Sequence, residues 1–358
     1  MLSVIRERIK NAPGGSVSYA TFMEMALYHP KHGYYQKNKE KIGRNGDFYT
    51  SGTTSAVYGA VWADVFYSMF RELEIPFVIC EIGAGDGSFA KSVLDEWQAK
   101  GYPALDYVVI ESSPYHAERV GRKLVGHSWS CYSSLEEFQS VCPSFHGIVF
   151  GNELLDALPV HVVKQTSSGL KEVRVALNEN GDLINVAVHA DGQLRKWIED
   201  YQRELEPGQT MEIPLAMTSW LGMLYEWIRR GFVVCADYGY TEEEWRRPEI
   251  REGSLRGYYR HQLIPNPLSH PGEMDLTSHV HWDCVRKVGG DYGCSTSCFQ
   301  SQQEFLLENG ILDHLVKNAG RDPFSPEHKK NRAIRSLIMD NSISRYFQIL
   351  IQKKDGCS

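Results

Sequence analysis

The chain predicts an α/β protein built on a doubly wound, mostly parallel sheet of about seven strands, and three observations carry that expectation. Short apolar runs alternate with segments of helical period. The run Phe77-Val-Ile-Cys-Glu-Ile-Gly-Ala-Gly-Asp-Gly-Ser-Phe89 reads as a buried strand, a glycine-rich turn and the start of a helix. The next apolar run, Asp106-Tyr-Val-Val-Ile-Glu111, ends in an acid, 24 residues beyond Gly87. A length of 358 residues with 42% hydrophobic and 23% charged content suffices for one large domain with additions.

Residues 1–75 read as a largely helical N-terminal region able to act as a lid, with a Gly-, Asp-, Ser- and Thr-rich loop from Lys39 to Thr54. Met1 to Lys10 mixes charges among its apolar positions, which suits a helix rather than a signal or transit peptide. Residues 76–358 form the main domain, with insertions at about 160–230 and 248–283. After the first strand, Phe89, Ala90, Val93, Leu94 and Trp97 recur at helical spacing, so 88–99 is an amphipathic helix. Ser113-Pro114 opens the next helix, which runs to about Leu124.

A third strand lies near 128–132, and a helical segment follows from Ser134 to Phe138. Gly147 to Phe150 is the fourth strand and runs into Gly151-Asn-Glu-Leu-Leu-Asp156; Gly231 to Ala236 is the fifth. Gly293 to Phe299 and Tyr346 to Gln352 supply the final pair. Residues 160–196 alternate apolar and polar around turns at Ser168-Gly169 and Asn180-Gly-Asp182, the pattern of inserted antiparallel strands. The Pro-, Gly-, Arg- and His-rich stretch 248–283 is too long for a simple connection, and such loops in compact enzymes carry function.

The loop spacing bears on the cofactor. Glycines at 83, 85 and 87 give G-x-G-x-G, and position 88, where a dinucleotide fold wants a third small residue, is Ser88. Asp86 inside the turn disfavours a pyrophosphate at the helix N-terminus. S-adenosylmethionine has no phosphate; it offers a sulfonium, an ammonium, a carboxylate and a ribose diol, and acids beside closely approached glycines suit it. Glu111, at the tip of the adjacent strand, is placed to accept hydrogen bonds from both ribose hydroxyls.

Asn152 and Glu153 follow the fourth strand at the same edge and would face the reactive end of a bound cofactor. Asn supplies a fixed donor and acceptor, and Glu a charge that can orient an amine or guanidinium. Asp156, one helical turn past Asn152 and three residues after Glu153, would present a second carboxylate near the same face. The plainer reading is a helix N-terminus with acids in its first turn.

Other features carry less. Thirty-eight basic against 45 acidic residues give a net charge of −7, which argues against a general nucleic-acid binder. Long apolar runs are missing, so no membrane span is expected, and a cytoplasmic location is the default. The eight cysteines lack framework spacing, and Cys294-x3-Cys298 has no second pair to complete a metal site, so no metal is expected. His279 and His281, at i and i+2, lack a nearby third ligand and read as a structural or solvated pair. Arg246, Arg247, Arg251, Arg256 and Arg260 read as a solvated basic surface.

Seven blocks in order resemble the MidA-like class I methyltransferases, whose mitochondrial members assist assembly of respiratory complex I. They are Tyr28-His-Pro-Lys-His-Gly-Tyr-Tyr35, Gly46-Asp-Phe-Tyr-Thr-Ser51, Glu81-Ile-Gly-Ala-Gly-Asp-Gly87, Gly151 to His161, Asp237-Tyr-Gly-Tyr240, Gly253 to Tyr258 and Pro271 to Val280. The resemblance covers nearly the whole chain. It implies S-adenosylmethionine on a Rossmann-like sheet, with Thr50 and Ser51 approaching the cofactor. Glu81, Gly83, Ala84, Gly85, Asp86, Gly87, Glu111 and Ser112 would hold its methionine and ribose parts, and Asn152 with Glu153 would border the methyl group. The mitochondrial relatives are associated with symmetric dimethylation of an arginine in a complex I subunit.

The leading expectation is therefore a methyltransferase acting on a nitrogen, arginine included, of a protein partner, with no nucleic-acid or membrane partner and with a homodimer left open. A small-molecule methyltransferase and a cofactor-binding assembly factor without turnover stand as alternatives.

Overall fold

The computed structural model describes residues 1–39, 41, 56–201, 203–317, 322, 324–339 and 346–356. The chain forms two compact units: one of residues 1–39, 156–222 and 240–288, the other of 40–155, 223–239 and 289–358.

The second unit holds the expected sheet. Its strands are β1 (Val78–Ile82), β2 (Asp106–Ile110), β3 (Trp129–Tyr132), β4 (Phe145–Asn152), β5 (Ile228–Tyr240), β6 (Ser295–Ser301) and β7 (Phe347–Lys354). They run in the order β3-β2-β1-β4-β5-β7-β6, and among the described residues a two-residue strand pairs with β5 off that path. The pairs β3/β2, β2/β1, β1/β4 and β4/β5 are parallel, while β7 is antiparallel to both β5 and β6. Strand order reverses between β1 and β4, so the loops leaving their carboxyl ends part and open a crevice at the sheet edge, the usual ligand position in such sheets.

Helices α1 (Ala56–Leu73), α2 (Ser88–Ala99), α3 (Pro114–Lys123) and α4 (Leu135–Val141) belong to this unit. The apolar period read from the sequence returns as burial of Phe89, Ala90, Val93, Leu94 and Trp97 on α2. Aromatic packing joins sheet to helices: Phe150 of β4 stacks on Phe89 at 4.5 Å, and Trp62 of α1 lies 5.2 Å from Phe150 and 4.6 Å from Phe305. Burial of each such ring is worth about 1.5–3 kcal/mol. Close approach of α1 to α2 requires a glycine, because a Cβ at Gly59 would lie 2.5 Å from Ser92 Cβ.

In the first unit, His161–Thr166, Gly169–Leu177 and Leu183–His189 form the expected antiparallel strands, and Thr210–Ile213 pairs with the first of them. Among the described residues the region 1–75 is largely helical, but it divides between the two units. Ser16–Ser18 is a strand whose residues pair with Arg174 to Ala176, so residues 1–39 fold with the inserted strands, while α1 falls in the other unit. The ladder from 161–166 stops at Val162 opposite Val173, leaving the next three residues of that edge free to take Ser16–Ser18, with Val17 buried. The long loop 248–283 contains a small sheet of Arg256–Tyr259 with Gln262–Ile264 and Asp275–Thr277.

His279 and His281 are buried in this unit, as a structural pair requires. His279 stacks on Tyr240 at 4.3 Å and His281 on Trp245 at 4.3 Å. Burial, then the neighbouring Arg256 and Arg203 respectively, holds both imidazoles well below the usual histidine range. The basic cluster is tied to local groups: Arg246 pairs with Glu242, Arg247 with Glu244, and Arg251 donates to the Pro207 carbonyl. Among the described residues no three His, Cys, Asp or Glu side chains are grouped to hold a metal, and no helix is long and apolar enough to cross a membrane.

Candidate functional site

The carboxyl edge of the sheet gathers the glycine loop after β1, Glu111 after β2, and Asn152 and Glu153 at the end of β4. The loop turns sharply because Gly83, Gly85 and Gly87 take φ of 75°, 55° and 77°, a region that side chains disfavour. Gly83 donates to the Ile110 carbonyl at 2.9 Å, and Gly87 to the Ala84 carbonyl at 3.1 Å before capping α2. Gly83 is exposed, so its backbone lies open to a ligand, while Ala84 is buried.

Glu111 binds the loop directly. Its Oε2 accepts from Gly85 N–H at 2.9 Å and its Oε1 from Ser113 N–H at 2.8 Å. Each carboxylate oxygen has two lone pairs, so one remains on each for a further donor such as a ribose hydroxyl. Burial pushes the carboxyl up to about 7, against the two backbone hydrogen bonds and Lys41, which lower it. Ser112 beside it is exposed. His116 Nδ1 lies 3.9 Å from Glu111 Oε1, and burial, aided by Lys41, pushes this imidazole down to about 4.

Glu81 lies beneath the loop, 3% exposed, with its Oε2 accepting from the Tyr107 hydroxyl at 2.8 Å. Burial, with added repulsion from Glu111 and Asp86, pushes it up to about 8 although Tyr107 pulls it down. Asp86 does not confront the ligand side as a bare charge. Lys123 Nζ lies 2.5 Å from its Oδ2, and its Oδ1 accepts from Ser88 N–H at 3.0 Å. Burial would raise Asp86, but these bonds outweigh it and hold the carboxyl below its usual range. Because Lys123 balances its charge, Asp86 does little to disfavour a pyrophosphate. Glu111, whose two oxygens accept from Gly85 and Ser113 and keep acceptor capacity for a diol, carries the preference for a ribose-bearing ligand instead.

At the end of β4, Asn152 Oδ1 accepts from the Tyr58 hydroxyl at 3.2 Å and its Nδ2 donates to Glu153 Oε1 at 3.2 Å. Burial, with the Glu153 charge adding to it, raises the Tyr58 hydroxyl above its ordinary value. Glu153 N–H donates to the Ala236 carbonyl at 2.8 Å, and Glu153 itself takes a left-handed φ of 51°.

That conformation overturns the expected helix start. Residues 153–156 form a turn rather than a helix, so Glu153 and Asp156 do not share a helical face. A right-handed helix cannot run through a left-handed residue, and Asp237 Oδ2 gathers the next two amides, from Leu154 at 3.0 Å and Leu155 at 2.8 Å. Asp156 begins the other unit, where it is buried and its carbonyl accepts from Ser278 N–H at 2.9 Å. Its charge there helps hold the Tyr35 hydroxyl up, after burial and Asp275.

Thr50 and Ser51 lie outside the described residues. Tyr58, Tyr107, Lys123 and Asp237 were not named as site residues by the sequence reading. Only Asp237 carried a signal, as an acid beyond the apolar run of β5.

The residues present fit S-adenosylmethionine by their own chemistry: an open glycine backbone beside a carboxylate with a lone pair left on each oxygen. Over residues 61–300 the chain matches the family described as "Putative S-adenosyl-L-methionine-dependent methyltransferase". It is 27% identical to the protein arginine methyltransferase NDUFAF7, mitochondrial, of Danio rerio, over 86% of this chain and 77% of that one. Its identity to the NDUFAF7 homolog of Drosophila melanogaster is 25%, over 87% and 76%. Among solved structures, a candidate methyl transferase from Burkholderia thailandensis bound to S-adenosyl-homocysteine has the same fold, with a TM-score of 0.87 and 24% identity over 100% of this chain and 92% of that one. An iodide-phased native structure from the same organism is similar, with a TM-score of 0.86, 25% identity and the same coverage. A match across more than half of the chain, on a sheet whose edge carries this loop and these acids, makes the protein a member of the S-adenosylmethionine-dependent methyltransferase family.

Proposed function

We propose that the chain transfers a methyl group to a nitrogen of a protein partner, with arginine as the acceptor side chain. The observation that carries the reading is the placement of Asn152 and Glu153 at the carboxyl end of β4, on the edge that holds the glycine loop and Glu111. The names of the NDUFAF7 relatives support the choice of acceptor.

Gly83 to Gly87, Glu81 and Glu111 would hold the cofactor, which when bound supplies an electrophilic methyl group on a sulfonium. Glu111 receives hydroxyl donors on its remaining lone pairs. Glu153 pairs its charge with the guanidinium and orients one nitrogen, a charge-assisted contact stronger than a neutral one. Transfer would form the carbon–nitrogen bond as the carbon–sulfur bond breaks, the leaving group departing as a neutral thioether; the methylated nitrogen becomes acidic, and Glu153 would accept its proton. Asn152, held by Tyr58, keeps the Glu153 carboxylate directed through its amide donor. Alignment rather than covalent catalysis is the main contribution of such a site.

The test is methyl transfer from labelled S-adenosylmethionine into an extract of cells lacking this protein, followed by amino-acid analysis of the labelled fraction. Methylarginine in protein is the expected result. Label confined to small molecules overturns the acceptor, and no label at all favours a docking role.

A further inference from the structure

We infer that Asp237 is a positioning residue of this site: it holds Glu153 in its left-handed conformation by gathering the amides that follow it. The inference rests on the reading of Asn152 and Glu153 proposed above.

Asp237, on β5, is 1% exposed and makes backbone bonds with both oxygens. Oδ2 accepts from Leu154 and Leu155, and Oδ1 accepts from Tyr238 N–H at 2.7 Å. A buried carboxylate with three amide donors is well solvated by the protein. On the other side of Glu153, its own N–H continues the β4/β5 ladder to the Ala236 carbonyl. Glu153 is thus clamped between adjacent residues of one strand, Ala236 before it and Asp237 after it.

The clamp has a conformational cost to offset. Among the described residues, four non-glycine residues have positive φ: Glu74, Glu153, Arg260 and His261. Glu74 follows α1, and Arg260 with His261 forms the hairpin between Arg256–Tyr259 and Gln262–Ile264, both ordinary turn positions. Glu153 instead ends a central strand at the functional edge. A glycine would adopt this φ without the steric penalty that a side chain brings. Retaining a glutamate there and bonding both neighbouring turns of backbone is the pattern of strain held for a function.

The experiment compares the full chain with D237N, E153Q and the double variant D237N/E153Q. Initial rates are read as labelled methyl entering the protein fraction of the extract, and calorimetry gives the dissociation constant of S-adenosylhomocysteine. One amide oxygen cannot serve all three donors, so D237N should slow transfer about 10- to 100-fold, the scale of a small misplacement of a reacting group. Its S-adenosylhomocysteine affinity should change less than about threefold. The double variant should be no slower than E153Q, because both changes act through one carboxylate. If D237N does not remain folded, D237E, which keeps the charge but displaces it by one methylene, should show the same loss. A wild-type rate for the folded Asp237 variant, or losses that multiply in the double variant, overturns the inference while a slow E153Q upholds the site. A wild-type rate for E153Q overturns both.

Discussion

Gly85 N–H donates to Glu111 Oε2 at 2.9 Å, which joins the glycine loop of one strand to the acid at the tip of the next. Loss of that acceptor would act on both partners, leaving a buried amide unpaired and removing the acid expected to meet the ribose. Glu111→Ala should weaken S-adenosylhomocysteine binding roughly 10- to 100-fold, the value of a charge-assisted hydrogen bond of about 1.5–3 kcal/mol. Glu111→Gln should lose less. Calorimetric titration checks this, and unchanged affinity in Glu111→Ala would place the cofactor elsewhere.

The same acid makes binding depend on pH. With its carboxyl pushed up to about 7, Glu111 is substantially protonated near neutrality and then accepts hydroxyl donors poorly. Affinity for S-adenosylhomocysteine should rise between pH 6 and pH 8, at about the pKa just given, and binding should release protons. Titrations in buffers of different ionisation enthalpy would reveal the release; a flat profile over that range counts against Glu111 as a ligand.

Glu81 also links stability to pH. Its folded pKa is raised to about 8 from 4.5, so the folded state holds the proton more tightly than the unfolded chain. The resulting stability is fully present below about pH 4.5 and is lost as pH rises through about 8. Glu81→Gln, which keeps an acceptor for Tyr107, should reduce the decline in melting temperature over that window. Tyr107→Phe would leave buried Glu81 without its donor and cost about 1–3 kcal/mol. Denaturant titration of both variants tests the pair.

His281 has the opposite sign. Its folded pKa lies well below 6.5 because burial and Arg203 disfavour the imidazolium, so its contribution is present above about pH 6.5 and is lost as pH falls from there. His281→Phe retains a ring against Trp245 and should flatten the acid side of the stability profile. An acid limb as steep as that of the wild type would contradict this.

Gly59→Ala should destabilise the protein by about 1–3 kcal/mol despite better helix propensity, because the added carbon meets Ser92 Cβ at 2.5 Å on the facing helix. Ser92→Gly in the same chain should recover part of the loss. Thermal melts of the single and double variants show whether the recovery occurs.

The alternation of strands and helices, the loop Gly83 to Gly87 and the position of Glu111 were legible because they are local: an apolar run, a helical period and a glycine spacing each act within a few residues. Pairing of Ser16–Ser18 with Arg174 to Ala176 was not legible, since three residues carry no period and the edge they fill lies more than 150 residues away. Nor was the turn at Glu153, where acids after a strand read as a helix start by local preference. The competing signal, Asp237, is 84 residues downstream.

By itself, then, the sequence determined the sheet-forming segments and the glycine loop, since backbone freedom and hydrophobic period are properties of neighbouring residues, and its seven ordered blocks carried the resemblance to the family. Tertiary structure alone decided that Lys123 neutralises Asp86, that Tyr107 supports Glu81, and that Asp237 turns the chain at Glu153 and sends Asp156 into the other unit. Those outcomes depend on which polar groups share a buried volume, where an unpaired charge or amide is costly and the partner comes from wherever the fold brings one.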